Sequence, residues 1–188
     1  MPNLVDLWLP ILVAAVFVFV VSSVVHMCLP IHRSDVKKLT NEADILAAIR
    51  KAGATPGDYM FPCPASMKDM ASPEMLERYK QGPIGFVTLC PPGPPTMGKA
   101  LGQWFVWCIV VGVFVAYIAG LALPRGAEFG TVFRVTGAIG VLGYAFSHVT
   151  NSIWKGASWV TTAKFVFDGV LYALTTAATF AWLWPAAA

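Results

Sequence analysis

Apolar residues divide the chain into four long hydrophobic stretches and one polar interval, the stretches running over about residues 7–28, 101–123, 130–152 and 159–184. A helix needs about 20 mostly apolar residues, at about 1.5 Å rise each, to cross the hydrocarbon of a bilayer. Each stretch meets or nearly meets that length, so the pattern predicts four transmembrane helices. Pro10 falls near the start of the first, where a missing N–H is tolerated, and Pro124 follows the end of the second. Trp8, Trp104, Trp107, Trp154, Trp159, Trp182 and Trp184 all lie near expected ends, as an interfacial aromatic belt would place them.

The polar interval of about 70 residues is too long for a plain connection. Asn41-Glu42-Ala43-Asp44 has the form of a capping box ahead of Ile45, Leu46 and Ile49, with Gly53 placed to end a helix. Ser72-Pro73-Glu74 starts a second helix, with serine at the N-cap and proline in the first turn, and Gly82 closes it. Segments 59–61 and 85–89 read equally as short strands or as extended chain, without enough pattern to predict a sheet. Pro91-Pro92-Gly93-Pro94-Pro95 forms a stiff, extended strap into the second stretch. The resulting organisation is an N-terminal transmembrane helix over 1–28, a loop or cap over 29–97 and a three-helix membrane region over 98–188.

Composition agrees with that division. Of 188 residues, 57% are hydrophobic and only 12% charged, which belongs to the membrane class. The expected fold is therefore an all-α integral membrane protein with four transmembrane helices and a small, mainly helical cytoplasmic cap between the first and second. A net charge of +3 spread along the loop gives no nucleic-acid footprint. The first stretch lacks a basic leader and a small-residue cleavage site, so it is expected to remain as an anchor.

Basic residues set the expected orientation. Arg33, Lys37, Lys38, Lys80 and Lys99 flank the loop side of the first two spans, which places the loop in the cytoplasm and both termini outside, in a bacterial-type inner or plasma membrane. Lys155 agrees with this assignment, and Arg125 is the exception.

Charge inside the spans carries the candidate chemistry. Thr161, Lys164, Asp168, Tyr172, Thr175 and Thr179 recur at steps of three and four, forming a polar stripe on the last helix. Arg134, Gly137, Tyr144, His148 and Asn151 form a less complete one on the third. Charges in a span are costly unless they face protein or water, so both stripes should point inward. Antiparallel packing would bring Tyr144, His148, Lys164 and Asp168 together and leave Arg134 apart near the outer side. Lys164 and Asp168, four residues apart, are spaced to pair.

A second group is rich in imidazole and sulfur. His26, Met27, Cys28 and His32 close the first span, and Cys63 follows in the loop. Thiolate and thioether donors suit copper(I). The four cysteines contain no C-x-x-C pair, which argues against a zinc or disulfide framework. Nucleotide-binding, zinc-protease and serine-hydrolase motifs are absent. The sequence thus leans away from an enzyme and implies no cofactor. Its first reading is a structural or accessory membrane subunit glued by the polar cluster, in contact with the lipid bilayer and assembled as a homo-oligomer or within a larger complex. A small proton- or ion-coupled transporter or channel is the alternative, and a copper-handling membrane protein the third.

Overall fold

A computed structural model describes residues 1–187 of the chain. The elements in chain order are α1 (Trp8–Ser23), α2 (Glu42–Lys51), β1 (Gly57–Phe61), α3 (Pro73–Gln81), β2 (Gly85–Leu89), α4 (Met97–Ala122), α5 (Phe129–Tyr144), α6 (Ser147–Lys155) and α7 (Trp159–Trp182). Two compact units result. One holds residues 1–35 and the described chain from Thr96 onward; the other is Val36–Pro95.

Four helical segments are long and apolar enough to cross a membrane: Trp8–Cys28, Met97–Ala122, Phe129–Lys155 and Trp159–Trp182. Their inward faces share one core, in which Leu7, Val18, Val115, Val132 and Phe180 are fully buried. Their outward faces stay apolar, with Val20, Phe114, Leu121 and Leu142 exposed. Close approach of α5 to α7 depends on small residues. A methyl group at Gly140 would stand 3.1 Å from the Ala173 Cα, and one at Gly137 3.3 Å from the Ala177 Cβ.

The third apolar stretch is not one continuous helix. α5 stops at Tyr144 and α6 resumes at Ser147, across a tightened turn in which His148 N–H donates to the Ala145 carbonyl and Val149 N–H to that of Phe146. Gly169 of α7 lies directly against this turn. Apolar periodicity continues through the break, which is why the sequence showed no interruption. The first span has its own irregularity. α1 passes into a π-helical turn, Val24–Cys28, which carries His26; extended Leu29 and a 3₁₀ turn, Pro30–His32, then fold the chain back.

The smaller unit adds a two-stranded pair to the two expected helices. β1 and β2 pair antiparallel, with Tyr59 opposite Val87 and Phe61 opposite Gly85. Thr88 Oγ1 donates across the pair to Asp58 at 2.6 Å, and the Phe61 ring covers Gly85. Alternation over five residues is too short to separate such a strand from extended chain. α3 begins as its sequence indicates, Ser72 Oγ accepting from Met75 N–H at 3.2 Å. Asn41 precedes α2 but makes no side-chain cap.

Arg125, the exception to the charge bias, is neutralised locally by Asp6 at 2.6 Å. The Asn3 N–H, and after it Arg125, hold the Asp6 carboxyl below its ordinary range. A carboxyl with a lowered folded pKa stabilises the fold above its unfolded pKa and loses that contribution as pH falls through the folded value. The wild-type melting temperature should therefore drop more than that of Asp6→Asn between about pH 5 and about pH 3. Equal slopes in thermal unfolding would contradict a role for this pair.

Candidate metal centre

His26, His32 and Asp168 meet at one end of the larger unit, their candidate donor atoms all within 4.8 Å of one another. The π-helical turn presents His26, the backward fold after Pro30 presents His32, and the polar stripe of α7 presents Asp168. His32 Nε2 stands 2.9 Å from Asp168 Oδ2, and His26 Nε2 stands 3.8 Å from the same oxygen. Asp168 is 1% exposed. Among the described residues, neither of its oxygens has a hydrogen-bond partner, and the same is true of His32 Nε2. The 2.9 Å approach is thus close without hydrogen-bond alignment.

The far side of His32 explains that misfit. Its Nδ1 lies 2.6 Å from Asp35 Oδ2, and Asp35 Oδ1 accepts from Lys164 Nζ at 2.6 Å. Lys164, and after it His32, hold the Asp35 carboxyl below its ordinary range, so it is ionised and can only accept. The proton between Asp35 and His32 therefore sits on Nδ1. In the neutral imidazole this leaves a lone pair on Nε2, directed at the lone pairs of Asp168. Facing acceptors at this distance repel unless a proton or a metal ion lies between them, and the missing hydrogen-bond alignment favours the ion. A carboxylate that orients a histidine through its other nitrogen is the recurrent second layer of metal sites.

Lys164 is fully employed elsewhere than at Asp168. Besides Asp35, its ammonium donates to the Ile31 carbonyl at 2.8 Å and to Ser34 Oγ at 2.9 Å. The expected i, i+4 pair is replaced because residues 31–35 bring three acceptors to the lysine, and Asp168 is left facing the imidazoles of His26 and His32. The remaining sequence candidates separate into two groups. Tyr144 and His148 line a cavity of about 720 Å³ together with His26, Met27 and Asp168. Arg134 is exposed and bonds back to the Gly130 carbonyl of its own helix, outside the cluster. Met27 and Cys28 are exposed at the end of the first span, and Cys63 is exposed in the smaller unit. Phe165 lies among the imidazoles, its ring centroid 5.0 Å from that of His148 and 5.2 Å from that of His32.

Asp35 was not among the sequence candidates. Its signal is the spacing His32-Arg33-Ser34-Asp35, which lets an i, i+3 carboxylate reach back to an imidazole across one turn. Comparison with known proteins finds no matching family model, no curated relative and no similar solved structure.

Proposed function

We propose that this chain is an integral membrane protein that holds one divalent transition-metal ion, zinc or iron(II), on His26, His32 and Asp168, at the end of the bundle from which the loop leaves. The 2.9 Å approach of His32 Nε2 to Asp168 Oδ2 without hydrogen-bond alignment carries this reading. Two imidazoles and one carboxylate are a donor set used for zinc and for non-haem iron. Tetrahedral ligands about 2.1 Å from an ion are about 3.4 Å apart, a spacing bracketed by the 2.9 and 3.8 Å separations at Asp168 Oδ2. Nitrogen and oxygen donors replace the sulfur set that would favour copper(I). The Lys/Arg bias supports a cytoplasmic loop, which puts the metal at the cytoplasmic end of the spans.

Elemental analysis of protein purified in detergent tests this directly. About one zinc or iron per chain is expected, with His32→Ala and Asp168→Ala both below a tenth of that value. A wild-type protein that retains neither metal after incubation with each at micromolar concentration would sink the reading. Asp35→Asn should keep the site but weaken it, lowering metal affinity about 10–100-fold, because the oriented imidazole loses its carboxylate brace. Competition with a chromogenic chelator measures that loss. An unchanged affinity would remove Asp35 from the site.

A further inference from the structure

The cavity beside the cluster has the size of a small-molecule site, about 720 Å³ against the roughly 300–1,000 Å³ usual for such pockets. His26 and Asp168 are part of its wall. His26 is the open side of the cluster, its side chain 40% exposed against 12% for His32 and 2% for Asp168. Three protein ligands leave a tetrahedral or larger coordination sphere incomplete. An ion held there would keep its unfilled position on the His26 side, toward the cavity.

The remaining wall is aromatic and aliphatic. Trp104, Tyr144 and Tyr172 contact one another at ring-centroid distances of 5.7 to 6.3 Å, and Met97 and Leu101 extend the apolar lining. Trp104 is held in place by its Nε1–H donating to Ser22 Oγ at 2.8 Å. Tyr172 is 4% exposed, and among the described residues its hydroxyl has no partner. These side chains offer an aromatic wall suited to a ring, and Met97 and Leu101 an apolar wall suited to a hydrocarbon tail. The metal's charge disfavours a cationic head, and the apolar wall disfavours a strongly hydrated one.

We propose that the cavity binds a membrane-soluble phenol or quinol whose ring oxygen completes the coordination of the metal and whose ring lies against Trp104 and Tyr172. This rests on the metal reading above. Among the described residues the Tyr172 hydroxyl has no other partner, so it is free to donate to the bound oxygen.

Cobalt(II)-loaded protein in lipid nanodiscs provides the test, with nonylphenol and its methyl ether as probes. Nonylphenol should change the visible cobalt spectrum and saturably quench tryptophan fluorescence, both with the same midpoint. The ether, which cannot ionise onto the metal, should bind at least about tenfold more weakly, and Tyr172→Phe should weaken nonylphenol about fivefold while retaining its cobalt. Cobalt retained with no spectral change on adding nonylphenol overturns the ligand inference alone. Equal binding of phenol and ether overturns the role of the ring oxygen. Failure to retain cobalt at all overturns the metal reading, and the ligand inference with it.

Discussion

Asp168→Asn is expected to lower the melting temperature of the metal-loaded protein while leaving that of the chelator-treated protein unchanged or raised. An ion bound only by the folded state stabilises it by an amount that grows with the logarithm of its excess over Kd, about 4 kcal/mol at a thousandfold excess. Losing the carboxylate ligand removes most of that stabilisation. In the metal-free protein the balance reverses. Asp168 is then a buried carboxyl 2.9 Å from His32 Nε2 with no hydrogen-bond alignment. A neutral amide carries no charge to desolvate there, and its N–H can donate to an unprotonated Nε2. A cluster whose only role is to glue helices predicts loss of stability with and without chelator. Thermal unfolding of both proteins, each in zinc and in chelator, separates the two cases, and an equal loss in both conditions would reject the metal centre.

The division of the chain into four spans and a polar interval was legible because membrane crossing imposes a length and a composition that few other constraints produce. Asp168, His26 and His32 were legible as residues but not as a group. Periodicity places residues on faces of regular helices, and it correctly put Asp168 and Tyr172 on the buried side of α7. It has no purchase on the path after α1, where a π-helical turn, one extended residue and a 3₁₀ turn reverse the chain within nine residues, Val24–His32. That reversal brings the His26 and His32 rings together, tilted with centroids 4.4 Å apart, and engages Lys164 with Asp35 instead of Asp168. The spacing of Lys164 and Asp168 was suggestive for a straight helix considered alone, and tertiary contacts from a distant segment override it. The two-stranded pair was hidden for a different reason: its register links residues about thirty apart, and neither five-residue strand signals the other.

Gly169→Ala should destabilise the protein and weaken the proposed metal site together, which would tie helix packing to chemistry. The added methyl would stand 2.6 Å from the Ala145 Cα and 2.7 Å from the Tyr144 carbonyl oxygen. Both are backbone atoms, so no rotamer change relieves the overlap, and α7 must move away from the α5–α6 turn. Overpacking of this kind costs about 1–3 kcal/mol. The displaced residue adjoins Asp168, whose carboxylate must stay within a few tenths of an ångström of the histidine nitrogens to share an ion. Gly102→Ala supplies the contrast: that glycine lies within α4, where the new methyl would meet nothing within 4 Å beyond its chain neighbours and the helix's own backbone, so the helix should gain about 0.5–1 kcal/mol. Melting temperature and metal affinity measured on both variants decide the matter. If Gly169→Ala behaves like Gly102→Ala in both measurements, the close seating of α7 on the turn does not set the geometry of the site.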